Sequence, residues 1–198
     1  MIVSIEGLDG SGKSTIIKKV AEKLMKHNID VLITSEPTSG PVGKLIREYL
    51  KQQQTRRDKE LEALLFAADR LWHWRNIIQP AIVSGKIVIT DRYLHSSLAY
   101  QSTNLIEEKW VLEINRYVPD PDISLFIDVP PEICLKRLKE SGRSLSIMEN
   151  IKNLELVYKR YIDLVKKGKM RIINGLRRVE EISNEIVDII LSTLRQKD

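Results

Sequence analysis

Gly7-Leu8-Asp9-Gly10-Ser11-Gly12-Lys13-Ser14 fits G-x-x-x-x-G-K-[ST] at every fixed position. Ile2-Val3-Ser4-Ile5-Glu6 precedes it, a short apolar run with the β-branched content of a buried parallel strand. After it, Thr15 to Leu24 carries apolar residues at helical spacing. Strand, glycine loop and helix is the context in which this motif cradles phosphate. Glycines let the backbone turn its N–H groups inward, and the helix N-terminus adds partial positive charge. Gly7, Leu8, Asp9, Gly10, Ser11, Gly12, Lys13, Ser14 and Thr15 therefore read as a triphosphate cradle. Lys13 is placed to reach the β- and γ-phosphates, and the Ser14 hydroxyl to hold Mg²⁺.

The chain of 198 residues suits one domain, 1–198, large enough for a sheet covered on both faces. No apolar stretch approaches a membrane span, so no membrane partner is expected. Cys134 is the only cysteine, which excludes intrachain disulfides and cysteine zinc sites. His27, His73 and His95 show no ligand spacing. With a strand at the very start and no leader-like segment, a cytoplasmic location is expected. The net charge of +5 admits a basic nucleic-acid face or a phosphate site on a mixed-charge, Lys/Glu/Ile-rich surface of the kind seen in heat-stable proteins. Acids are interspersed with the bases and no aromatic-basic ladder occurs. The second reading is favoured, with no nucleic acid as partner.

Apolar β-like runs recur at 2–6, 31–34, 86–91, 123–129 and 170–174. Helical patterns lie between them, at 14–26, 41–52, 59–84, 94–117, 131–140, 147–167 and 179–195. Alternation of this kind predicts an α/β fold of three layers, a five-stranded parallel sheet with helices on both faces. Ligands then sit at the carboxyl ends of the strands, where Glu36, Asp91-Arg92 and Asp128 join the glycine loop. The polar stretch from Lys139 to Ser144 reads as the start of a mobile lid near 139–150.

Asp91 ends a strand, the usual place for the carboxylate that holds Mg²⁺ through water. Arg92 beside it suits a kinase that must neutralise a second, acceptor phosphate near the γ-phosphate. Spacing alone also allows a helix cap with a surface pair.

Together with the glycine loop, Asp91-Arg92-Tyr93-Leu94-His95-Ser96-Ser97-Leu98-Ala99-Tyr100-Gln101 resembles the D-R-[YH]-x-x-S-x-x-A-Y-Q block of the thymidylate kinase family. Leu64 to Arg70 resembles its L-L-F-x-A-x-R helix, and Ser35-Glu36-Pro37 with Gly43 and Arg47 its second-strand loop and helix. Pro119 to Asp122 and Ile127 to Glu132 resemble its P-D-x-x segment and D-V-P-P-E. The likeness runs in order from about residue 2 to 138 and is loose beyond.

The resemblance implies a P-loop kinase fold and transfer of the ATP γ-phosphoryl group to dTMP with Mg²⁺, held by Ser14 and Asp91. It implies Phe66 stacking on thymine, Arg70 donating to O4, Gln101 reading N3–H, and Glu36 and Ser97 in the substrate pocket. Arg47 and Arg92 would take the acceptor phosphate, Asp9 the sugar hydroxyl or the arginine, and Tyr100 would wall off a 2′-hydroxyl or simply pack. Lys13, Asp91, Arg92 and a lid arginine would carry catalysis, and a homodimer built near Trp72 and Trp74 is implied. Without the resemblance Phe66 reads rather as a core aromatic.

Two departures stand out. Thr38 and Ser39 replace glycines after Pro37, and Gly142-Arg143-Ser144 with Glu149 later stands where the family's lid carries D-R-x-E; Gly10 also stands where some members place a catalytic arginine. The covering arginine must then come from Arg143 or Arg137, with Arg143 preferred. The alternatives are a kinase of another pyrimidine nucleotide or nucleoside, and a P-loop ATPase acting on nucleic acid.

Overall fold

The computed structural model describes residues 1–52, 58–102, 106–141 and 151–196. Five strands, β1 (Ile2–Glu6), β2 (Val31–Ser35), β3 (Ile87–Asp91), β4 (Ile123–Asp128) and β5 (Arg171–Asn174), form one parallel sheet in the order β2-β3-β1-β4-β5. All five lie within a residue of their expected bounds. The chain leaves β1 toward β2 and β3, then crosses β1 to reach β4 and β5. That reversal opens a crevice at the carboxyl end of β1.

Alternation along the strands separates two faces. On one, Val3, Ile5, Ile87 and Ile89 are buried in the cluster that includes Ile16, Ile17, Val20 and Leu24 of α1 (Lys13–Lys26). The same cluster holds Ile182, Ile186 and Ile190 of α9 (Val179–Arg195), which packs on α1. Each such buried side chain is worth about 1.5–3 kcal/mol, so this isoleucine stripe anchors the C-terminal helix.

On the other face Ile2 and Val88 meet Ile78 and Ala81. Phe126 stacks on Tyr161 of α8 (Ile151–Lys166), with ring centroids 4.9 Å apart. This face is not wholly apolar: Ser4, Glu6 and Thr90 share it and are fully buried.

The remaining helices are α2 (Pro41–Gln52), α3 (Lys59–His73), α4 (Gln79–Val83), α5 (Leu94–Tyr100), α6 (Glu108–Ile114) and α7 (Pro131–Glu140). The helix expected over 59–84 passes through a π-helical turn at Trp74–Ile78, where the Gln79 N–H bonds the Trp74 carbonyl. Pro80 explains it: proline has no N–H and its ring presses on the carbonyl four residues back, so a widened turn relieves the clash. The helix expected over 94–117 is two, α5 and α6. The break falls after Gln101, and residues 103–105 lie outside the described residues. Of the helix expected over 147–167, residues 151–166 form α8, and 147–150 lie outside the described residues.

Candidate active site

The α1 N-terminus follows Gly12, at φ 92°, with no side-chain cap and no acid in the first turn. Its first N–H groups are thus left for an anion. The Leu8 side chain is buried in the core, leaving its backbone to the loop. Lys13 is itself buried, and its Nζ donates to the carbonyls of Gly7 at 3.0 Å and Leu8 at 2.8 Å. The side chain does not stand in solvent but spans the loop it belongs to. Burial, reinforced by Arg92, lowers its pKa.

Gly10 has φ 84°, and a Cβ there would lie 2.5 Å from the Cys134 carbonyl oxygen of α7. No side chain fits, so an arginine is sterically excluded at this place in this chain. Arg137 of α7 lies alongside, its Nη1 3.4 Å from the Gly10 carbonyl and 3.5 Å from that of Ser11. Arg143 lies outside the described residues.

At the crevice mouth the Ser14 hydroxyl donates to Asp91 Oδ2 at 2.9 Å. Two hard oxygen donors, one charged, meet at the start of α1 and the end of β3. That pair suits Mg²⁺, which takes one or two protein oxygens and completes its octahedron with phosphate and water.

Arg92, next in the chain, has φ 74°, a left-handed conformation costing about 1–2 kcal/mol outside glycine. Its N–H donates to the Ile5 carbonyl at 3.1 Å and its carbonyl accepts from Thr90 Oγ1 at 2.7 Å. The guanidinium turns back over the glycine loop. It donates to Asp9 Oδ1 at 2.8 Å and Tyr100 OH at 3.2 Å, and lies over the Tyr100 ring. Burial opposes its charge, but Asp9, Tyr100, Tyr161 and Asp91 outweigh it and Arg92 stays charged. Tyr100 thus packs on Arg92 as well as lining the crevice.

Deeper in, Arg70 of α3 is fully buried. It donates to Asn115 Oδ1 at 2.7 Å, Glu36 Oε2 at 2.7 Å, the Tyr93 carbonyl at 3.1 Å and Ser97 Oγ at 3.0 Å. Its Nε has no partner, and neither has the buried Oε1 of Gln101, one turn beyond Ser97. An unpartnered donor and an unpartnered acceptor are thus both buried around α5. Glu36 is 2% exposed at its side chain and also faces His73 Nδ1 at 3.1 Å. Both its oxygens thus face protein groups, and the buried Ser97 hydroxyl accepts from Arg70 as well. Phe66, half-buried, lies one turn before Arg70 on α3.

The loop after β2 is closed by Asp69, which sequence reading did not single out. Thr38 donates its N–H and hydroxyl to Asp69 at 2.7 and 2.6 Å, and the Thr38 hydroxyl accepts from Gly40 N–H. A Cβ at Gly40 would strike the Trp72 ring, so the indole lies directly on this loop. Arg47, exposed on α2, donates to the Pro37 and Thr38 carbonyls at 3.0 and 2.6 Å. Thr38 and Ser39 therefore serve in place of glycines because Asp69 ties the loop down from α3.

A family model for thymidylate kinase matches residues 5–186. A "Probable thymidylate kinase" of Pyrococcus abyssi is 40% identical over 193 residues, covering 95% of this chain and 94% of that protein. Proteins of the same name from Thermococcus onnurineus and Sulfolobus acidocaldarius are 40% and 38% identical, over 96% and 98% of this chain and 97% of each relative.

Proposed function

Because this chain belongs to the thymidylate kinase family, we propose that it transfers the γ-phosphoryl group of ATP to dTMP, giving dTDP and ADP. The observation that carries the substrate assignment is the pair of unpartnered buried atoms, Arg70 Nε and Gln101 Oε1. The Watson–Crick edge of thymine presents an acceptor, O4, beside a donor, N3–H, and these two atoms complement it. Cytosine presents an amino donor and an acceptor ring nitrogen instead, which leaves buried groups unsatisfied at a cost of about 1–3 kcal/mol.

Donor and acceptor nucleotides approach from two sides of β1. The P-loop from Gly7 to Thr15 takes the ATP phosphates, with Lys13 reaching the transferred group. Arg92 and Arg47 take the dTMP phosphate, Phe66 stacks on the base, and Asp9 holds Arg92 or the sugar hydroxyl. Ser14 and Asp91 would hold Mg²⁺, which when bound spreads the charge of the β- and γ-phosphates. No protein nucleophile is needed. Lys13, Arg92 and a lid arginine neutralise charge that develops in transfer, and the protein's work is positioning. The lid of a single kinase unit spanning 1–198 is proposed near 139–150, of which 139–140 end α7 and 142–150 lie outside the described residues, with Arg143 as its catalytic arginine and Arg137 as the rival.

A homodimer is supported by α3, whose Leu61, Leu64 and Leu71 are exposed beside its buried face of Ala63, Ala67 and Arg70. Exposed leucines at this spacing form an apolar stripe that a second copy can cover. No described helix is long and apolar enough to cross a membrane, and a cytoplasmic setting suits a protein fed by ATP and dTMP.

Phosphorylation of dTMP, dUMP, dCMP, UMP and thymidine by ATP, run side by side, tests the assignment. Fastest turnover of dTMP, with dCMP and UMP poor, is the expected result. ATP hydrolysis stimulated by DNA but not by dTMP would remove it.

A further inference from the structure

Glu6 closes β1 one residue before the P-loop and is fully buried. Its Oε1 accepts the Tyr93 N–H at 2.9 Å, and its Oε2 accepts the hydroxyls of Ser96 at 2.5 Å and Tyr161 at 3.3 Å. Tyr93 and Ser96 belong to the turn that follows Arg92, and the Ser96 hydroxyl lies 3.2 Å from Arg92 Nη1. Arg92 itself is held from the other side by the Ile5 carbonyl and the Thr90 hydroxyl.

A non-glycine residue at φ 74° returns to an ordinary conformation unless its neighbours over-determine it. Glu6 supplies the hold on the C-terminal side. We propose that Glu6 is a positioning residue for phosphoryl transfer: by clamping the Tyr93 N–H and the Ser96 hydroxyl, it keeps Arg92 in the left-handed turn that sends its guanidinium across to Asp9 and the acceptor phosphate. This rests on the reading that Arg92 binds that phosphate. A carboxylate suits the task better than an amide, because it offers two accepting oxygens to three donors and no donor of its own. It also places a negative charge behind Arg92 without competing for its outward-facing N–H groups. Burial raises the Glu6 pKa, and the Ser96 hydroxyl, the Arg92 and Arg70 charges and the Tyr93 N–H oppose that rise by favouring the carboxylate.

The test is a double-mutant cycle on dTMP affinity, measured by calorimetry so that inactive variants can be read. Glu6→Gln keeps the side chain's shape and one acceptor; it should bind dTMP about tenfold more weakly and ATP almost unchanged. Arg92→Ala should lose more, and Glu6→Gln combined with Arg92→Ala should lose no more than Arg92→Ala alone. Losses that multiply in the double variant, or an unchanged dTMP affinity in Glu6→Gln, overturn the positioning role. An unchanged dTMP affinity in Arg92→Ala instead overturns the assignment of Arg92 to the acceptor phosphate. Should Glu6→Gln fail to fold, Ser96→Ala removes one arm of the clamp. It should weaken dTMP but not ATP in the wild-type background and do nothing further beside Arg92→Ala; a Ser96→Ala protein with wild-type dTMP affinity overturns the proposal equally.

Discussion

Asp9 Oδ1 and Arg92 Nη2 meet at 2.8 Å, an ion pair between the P-loop and the turn after β3. The two sides of the crevice are thereby tied across β1, so a shift of the glycine loop is felt by the arginine assigned to the acceptor. In the same span Ser14 bonds Asp91, so two links join α1 and its loop to the end of β3.

Lys13→Ala and Asp91→Ala should each abolish practical turnover, a loss of at least about 10²–10³ in kcat, since each removes preorganised charge at the transferred group. Lys13→Ala should also lower thermal stability, because Nζ holds the Gly7 and Leu8 carbonyls. Steady-state kinetics with circular dichroism checks both. Near-normal activity in either folded variant would remove the site.

Base recognition is best read at Gln101. Arg70→Ala leaves the buried Glu36 carboxylate without its arginine, a change of the kind that costs about 3–5 kcal/mol of stability, so weaker dTMP binding there would be confounded by unfolding. Gln101→Met removes the unpartnered acceptor while keeping bulk, and should weaken dTMP by about 1–3 kcal/mol with ATP affinity intact. Unaltered dTMP affinity would show that the base lies elsewhere.

His95 is buried beside Ser124, and burial lowers its pKa from 6.5 to about 4. The unfolded chain then binds more protons between those values, so stability falls as pH drops from 6.5 toward 4 and its contribution is fully present above 6.5. The stake is on the order of 3 kcal/mol. Denaturant unfolding at several pH values should show a shallower acid loss in His95→Gln than in the wild type; parallel curves would refute it.

Arg143→Ala should lower kcat strongly, by about 10² or more, and leave KM for dTMP nearly unchanged, as expected of a charge engaged mainly in the transition state. Gly10 cannot carry that charge, since the Cys134 carbonyl fills the space a side chain would need. An unchanged kcat in Arg143→Ala, alongside collapse in Arg137→Ala, transfers the role to α7.

Leu64→Glu, on the exposed side of α3, should convert a dimer to monomer in sedimentation with the fold intact. A wild-type protein that is monomeric at all concentrations would dismiss the interface.

The P-loop, the five strands and the run of helices could be read from the chain because their signals are local. A glycine spacing, a β-branched run or a three-to-four periodicity is complete within about a dozen residues. The interruptions were less visible. Pro80 was in plain view, but whether it ends a helix or widens one turn depends on what packs around it; here Ile78 and Ala81 hold the helix to the sheet on either side. For the candidate site, the residue types were legible and their partners in the fold were not. The family resemblance puts Glu36 and Ser97 in the substrate pocket; the fold adds that both accept hydrogen bonds from the buried Arg70. Glu6 reads as the tail of an apolar strand; an acid in that position was the one available clue. Its partners Ser96 and Tyr161 lie 90 and 155 residues away. Parallel pairing brings β1 and β3 side by side and packing lays α8 across them, and only that arrangement decides which buried charges meet.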